Sequence, residues 1–254
     1  MGLFDFFSKG KGEKKGDSPA AKPDKKGDKE IARLGKLAAQ KLAQNYDRQE
    51  AIEELARMGT ADSAKALLRR FDFSMEPSIT DQEEKEAAAR GIIAAGEAAI
   101  DPIRDYCKKA ESLTWPLKTL RDIVPPESFV EELLTILDQF DTEYMRNAEP
   151  KIQLIRTLEE FHTEDVRVAV EPFLTDAGEP ARFAAVTTLF AVGMEESVPA
   201  LVAALEEEES LRVKNRIAQG LLDRKWSIPE DLRDACSKSL PPDYELAGDV
   251  VARS

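Results

Sequence analysis

An all-α fold, an α-solenoid of about six stacked helix pairs, is what the 254-residue sequence predicts, and three observations support it. The first is the stretch Asp176–Glu208, DAGEPARFAAVTTLFAVGMEESVPALVAALEEE, which spells two amphipathic helices and the turn between them. Phe183, Val186, Leu189 and Phe190 recur at helical spacing, Pro180 suits a first turn, and Gly193 stands where a helix stops. Behind the acidic Glu195 and Glu196, Val198, Leu201, Val202 and Leu205 follow at i, i+3, i+4 and i+7. The second observation is that such a pair has two apolar faces and cannot bury both alone, so it needs similar neighbours. The third is that neighbours exist: turns at Gly59, Gly96, Val124, His162, Gly193 and Lys225 set a mean repeat of about 33 residues.

In order, residues 9–28 are a low-complexity run of Lys, Gly, Asp and Pro whose composition predicts a disordered tether over 1–28. At its start Leu3, Phe4, Phe6 and Phe7 form a short apolar peptide, read either as a frayed end or as a docking segment for a protein groove or a membrane surface. Residues 29–46 predict a capping helix with the stripe Ile31, Leu34, Leu37, Ala38 and Leu42, which hides the end of the stack from water. Helix pairs then occupy 47–240. The first holds Ala51, Ile52, Leu55, then Ala64, Leu67, Leu68 and Phe71; the second turns at Gly96 toward Ile100, Ile103 and Cys107. The third is irregular, broken at Pro125 and Pro126 before Phe129, Leu133 and Leu137. In the fourth, Ile152, Ile155 and Leu158 lead to Val166, Val170, Phe173 and Leu174; the fifth is Asp176–Glu208, and a sixth pairs Leu211–Lys225 with a short helix near Pro229–Leu240. Residues 241–254 are read as a tail. Eleven residues before the turns stand Arg48, Lys85, Leu113, Lys151, Arg182 and Lys214, a column that is basic in five of six repeats.

The stretches DAGEPARFAAVTTL, with Asp176, Pro180, Arg182 and Ala185, and VPALVAAL, Val198–Leu205, resemble HEAT repeats, especially the short bacterial kind associated with phycobilin lyases. The resemblance covers about residues 47–240 and implies a right-handed superhelix in which the Asp and the Arg six residues on are linked in a ladder between neighbouring repeats. Asp176/Arg182 keep that spacing, Glu208/Lys214 vary it, and the earlier repeats depart from it. The basic column therefore reads as structural.

Composition narrows function. With 42% hydrophobic and 33% charged residues the chain can build a core, and a formal charge of −13 argues against nucleic acid, whose backbone is bound by cations that displace counterions. Cys107 and Cys236 match no zinc or disulfide spacing and sit on apolar stripes, as small buried hydrophobes do. No apolar run reaches the ~20 residues that span a bilayer, the start lacks the layout of a secretory signal, and Phe6 occupies the position where myristoylation needs Ser or Thr. A cytoplasmic protein is expected. The one histidine, His162, falls at a turn without a nucleophile motif, and Glu83/Glu84 and Glu206–Glu209 read as solvated runs. No phosphate-binding loop, HExxH or EF-hand pattern occurs, so no catalytic residue, metal ligand or cofactor is expected.

Candidate binding residues lie where the repeat pattern breaks. The connector Phe71–Thr80, FDFSMEPSIT, carries Phe73, Met75 and Ile79, which are either pinned to the body or offered to a partner. Trp115 and Trp226 close helix ends or anchor a partner. The resemblance places the second helices on a concave face, where Lys65, Arg69, Arg104 and Lys108 give way to Glu131, Glu132, Asp138 and Glu171. The reading is a non-catalytic scaffold for a protein partner, with binding placed at Phe73, Met75, Ile79, Arg69, Arg104, Lys108, Phe4, Phe6 and Phe7. Two others stand beside it: a lyase-like or nucleic-acid-modifying enzyme of the resembling family, and a self-associating structural subunit.

Overall fold

The computed structural model describes residues 25–254. The leading helix α1 (Lys25–Ala38) begins inside the stretch expected as a tether and packs on the next two helices, burying Leu34 and Ala38. From there the helices alternate between two layers. The first layer holds α2 (Asn45–Met58), α4 (Ser78–Ala94), α6 (Thr114–Ile123), α8 (Glu149–Thr157), α10 (Glu179–Val192) and α12 (Leu211–Arg224). The second holds α3 (Ala61–Leu68), α5 (Ile100–Cys107), α7 (Pro126–Leu137), α9 (Glu164–Val170), α11 (Val198–Glu207) and α13 (Arg233–Ser239). Within layers α2 packs on α4, α4 on α6, α8 on α10 and α10 on α12, while α3 packs on α5, α7 on α9 and α11 on α13. The step from α6 to α8, around the irregular third repeat, is the loosest of the first layer.

The local signals are physical. Gly59 and Gly193 end α2 and α10 with φ of 57° and 79°, a left-handed geometry that costs glycine no Cβ clash. Thr60 caps α3 in a reciprocal box with Ser63, and prolines open α7, α8, α10 and α11, where the missing N–H is not needed. The apolar stripes read from the sequence meet between the layers: Ile52, Leu55, Leu67, Ile92, Ile103, Leu120, Leu133, Ile155, Val170, Leu189, Leu201, Leu205, Ile217 and Leu221 are buried in one continuous core. Trp226, buried and stacked on Phe190 at 5.4 Å, closes the core, whereas Trp115 is half-buried and stacks on Phe71 at 5.6 Å.

Close approach of α12 to α10 depends on Gly220, since a Cβ there would overlap the Phe190 ring. Gly220→Ala gains about 1 kcal/mol of helix propensity, but Phe190 is held between α12 and Trp226, and overpacking costs about 1–3 kcal/mol. The expected result is a net fall in melting temperature of a few degrees, read by circular dichroism.

Three expectations are corrected. The capping helix ends at Ala38, and Leu42, assigned to its stripe, lies in the following turns at 91% exposure, because Gln40 and Ala43 close short turns onto Leu37 and Gln40. Glu84 and Glu208, read as parts of solvated runs, are buried against cations. The fold is also not purely α: residues 241–254 hold an antiparallel hairpin of β1 (Tyr244–Ala247) and β2 (Val250–Arg253), with Ala247 opposite Val250 and Gly248 at φ 73° in the two-residue turn. The hairpin is fastened to α12 through Gln219, whose amide oxygen accepts from the Tyr244 hydroxyl at 3.0 Å and from Arg253 at 2.6 Å.

Candidate functional site: the connector edge and the charges that hold it

The connector leaves α3 through a 3-10 turn, Arg69–Asp72, and enters α4 at Ser78 behind Pro77. Beneath it lies a buried cluster of three cations and two carboxylates. Arg70 is fully buried; it donates to Glu84 and Asp81 at 2.7 Å each and to the Phe73 carbonyl at 3.1 Å, and its guanidinium lies 4.3 Å from the centre of the Phe73 ring. Arg48, equally buried on α2, grips both oxygens of Glu84 at 2.7 and 2.9 Å and reaches the Met75 sulfur at 2.9 Å. Lys85 donates to Asp81 at 2.8 Å and to the Ser74 hydroxyl at 2.9 Å. Burial alone would raise the Asp81 carboxyl, but hydrogen bonds from Lys85 and Arg70 outweigh it and hold the group below the ordinary carboxylate range.

This arrangement fixes the connector. Phe73 and Met75 are half-buried against the two arginines. Ile79 stays 71% exposed. Arg48 also binds the Ala43 carbonyl at 2.8 Å and the Asn45 side chain at 2.7 Å, which draws the loop before α2 to the same edge. That loop and the first turn of α2 display Leu42 and, at 74% exposure, Tyr46. Three large apolar side chains are thus exposed on a framework whose polar atoms are committed beneath it.

The remaining candidates are elsewhere. On the second-helix layer Arg104 grips Glu132 of α7 at 2.6 and 2.7 Å and also bonds Asp101, while Lys108 pairs with Asp105 at 2.7 Å. Arg69 is exposed beside α1 on the rim of a groove of about 320 Å³. Phe4, Phe6 and Phe7 lie outside the described residues. His162 is at an exposed turn, 3.1 Å from the Val192 carbonyl. Burial pushes the Cys107 thiol up to about 12 and the Cys236 thiol to about 11, which keeps both in the unreactive protonated form. Among the described residues no cluster of three or more His, Cys, Asp or Glu is placed to hold a metal ion.

Three members of the basic column, Arg48, Lys151 and Arg182, join repeats, whereas Lys85 pairs with Asp81 on its own helix. Lys151 is buried against Asp176, and Arg182 grips Glu208 at 2.7 and 2.8 Å while donating to the Asp176 carbonyl at 2.9 Å. In each step the cation of one repeat reaches the acid that opens the next. Burial alone would raise Glu208, yet Arg182 and the N–H groups of Ser210 and Glu209 together lower it. A lowered carboxyl contributes stability that is complete above its unfolded value near 4.5 and is lost as pH falls through the folded value. Acid titration should therefore loosen α10–α12 below about pH 4.5, and the Glu208→Gln variant should show less of that acid sensitivity, measured by hydrogen exchange of α12.

With this geometry described, comparison with known families is decisive for one part of the chain. The family model for HEAT repeats matches residues 130–222. Residues 130–222 carry HEAT repeats. The matched segment runs from within α7 to within α12 and contains both ladder steps, whereas the connector and its charge cluster precede it. No curated protein matches the chain.

The sequence reading missed Glu84, Asp81 and Arg70. A signal was present: Glu84 is spaced i, i+4 and i+8 with Ala88 and Ile92, and Arg48 is spaced i, i+4 and i+7 with Ile52 and Leu55. A charge on an apolar stripe has to find a partner or leave the core.

Proposed function

We propose that the protein is a non-catalytic, cytoplasmic HEAT-repeat scaffold, a right-handed superhelix of about six pairs, that binds a protein partner through the connector edge. HEAT repeats generally serve as protein-interaction scaffolds, and no helix among the described residues is long and apolar enough to cross a membrane. One observation carries the choice of site: Leu42, Tyr46 and Ile79 are exposed on segments that Arg48 and Arg70 tie together, and large exposed apolar side chains mark contact surfaces. Rigid presentation lowers the ordering cost of association, which favours this edge over an equally apolar mobile loop.

The test is affinity capture from native lysate with the full chain, with Leu42→Ser/Tyr46→Ser/Ile79→Ser, and with a deletion of residues 1–24. The expected outcome is a specific protein retained by the first, lost with the triple substitution and kept by the deletion. An identical set from all three would reject the edge as the binding site.

A further inference from the structure

Charge is unevenly divided between the two layers from α6 onward. Helices α6, α8 with its 3-10 extension Leu158–Glu160, α10 and α12 carry nine lysines and arginines against six carboxylates. In the facing layer α7, α9 with its 3-10 extension Glu171–Thr175, and α11 carry eight carboxylates against one arginine, and only α13 at the end adds cations, Arg233 and Lys238 beside Asp234. Lys151 is buried, and the other eight cations make this the cationic layer of a chain whose formal charge is −13.

That surface has an opening where the layer is loosest. Between α6 and α8 lies a groove of about 420 Å³, with Leu117 and Phe129 among its walls and Lys118, Arg121 and Arg156 around it against a single carboxylate, Glu160. Arg121 is held in place, paired with both oxygens of Glu160 at 2.9 and 3.0 Å and 4.7 Å from the centre of the Phe129 ring. Lys118 lies 5.0 Å from the centre of the Trp115 ring. Gln153 fixes the near wall by accepting from the Leu113 N–H at 2.5 Å. Further along the layer Arg212 sits 3.8 Å from the Phe183 ring centre and Arg216 5.5 Å from that of Phe190. The cations are therefore spread in fixed positions on an aromatic backing.

We infer that this layer, centred on the α6–α8 groove, is a docking surface for an acidic polypeptide segment. Carboxylates of such a segment match Lys118 and Arg156, and its apolar side chains match Leu117 and Phe129. A polypeptide suits the surface better than a nucleic acid. Interspersed Glu160, Glu179, Asp122 and Asp223 and the net negative chain repel a continuous line of phosphates, whereas a peptide can place a few carboxylates between them. The surface is separate from the connector edge, so this inference rests on the scaffold reading only in taking the partner to be a protein.

The test uses the full chain and a fluorescein-labelled 16-residue peptide of Glu and Asp interspersed with Leu, followed by anisotropy at low and moderate salt. The expected result is saturable binding that weakens at least tenfold in Lys118→Glu/Arg156→Glu and several-fold in Lys118→Gln/Arg156→Gln. Both residues are exposed, so an unchanged circular dichroism melt verifies folding. Lys65→Glu/Arg69→Glu and the connector-edge triple substitution should leave peptide binding intact, which separates this surface from the other. The inference is overturned if the double reversal binds as the parent does, if a lysine-for-acid peptide binds equally, or if a single-stranded oligonucleotide binds at least tenfold more tightly than the peptide.

Discussion

Glu84→Gln should lower the stability of the amino-terminal repeats by about 3–5 kcal/mol, the usual cost of removing one partner from a buried ion cluster. The glutamine keeps the shape but leaves Arg48, fully buried, with the neutral acceptors Ala43, Asn45 and Met75, and Arg70, equally buried, with Asp81, which it shares with Lys85. The desolvation cost of the two guanidinium groups has then lost its main offset. Urea unfolding should show the loss. Hydrogen exchange should place it in α2, the connector and α4, while α10–α12 stay protected, because solenoid repeats couple mainly to their neighbours. A change within about 0.5 kcal/mol would put the substitution in the class of ordinary surface changes and show that Glu84 does not hold the connector.

Asp176→Ala is the second large effect, and its contrast with a double substitution is the more informative. Lys151 and Asp176 are both buried, so truncating the acid leaves an ammonium in the core at a cost of about 3–5 kcal/mol. Replacing both, as Lys151→Met/Asp176→Leu, removes the unpaired charge along with the pair and should recover most of that loss. Recovery will be partial, since Lys151 also donates to the Asp141 carbonyl at 2.8 Å and Asp176 accepts from the Gly178 N–H at 2.8 Å. Thermal melts of the three proteins measure it. A double variant as unstable as the single one would mean that the pair acts through shape and not through charge.

These expectations rest on side chains that were legible in the sequence to different degrees. The helices were readable because Leu189, Leu201, Leu205 and their counterparts repeat at helical spacing and because glycines and prolines stand at helix ends, all of them local signals. The ladder was half readable. Asp176 and Arg182 gave the spacing, but the sequence could not show that each acid is taken by the cation of the preceding repeat. The connector was recognised as a break in the pattern, yet what pins it, Glu84 between Arg48 and Arg70, pairs residues separated by 36 and 14 positions. The hairpin at 244–253 was missed because its strands are four residues each and owe their order to Gln219 on α12, which no local pattern announces.

Charge segregation between layers was hidden for a related reason. The sequence interleaves first and second helices, so Lys118, Arg121, Arg156 and Arg212 appear scattered among glutamates until the layers are separated in space. Read as a run, the chain is simply acidic.

The central claim is that a protein partner meets the chain at the connector edge. The most direct measurement places a photo-crosslinking residue at Ile79, or at Glu131 on the second-helix layer as a control, in the full chain within its native cells, followed by mass spectrometry of covalent adducts. The expected result is a discrete protein adduct from position 79 and none from position 131. Adducts from position 131 alone, or from neither, would contradict it.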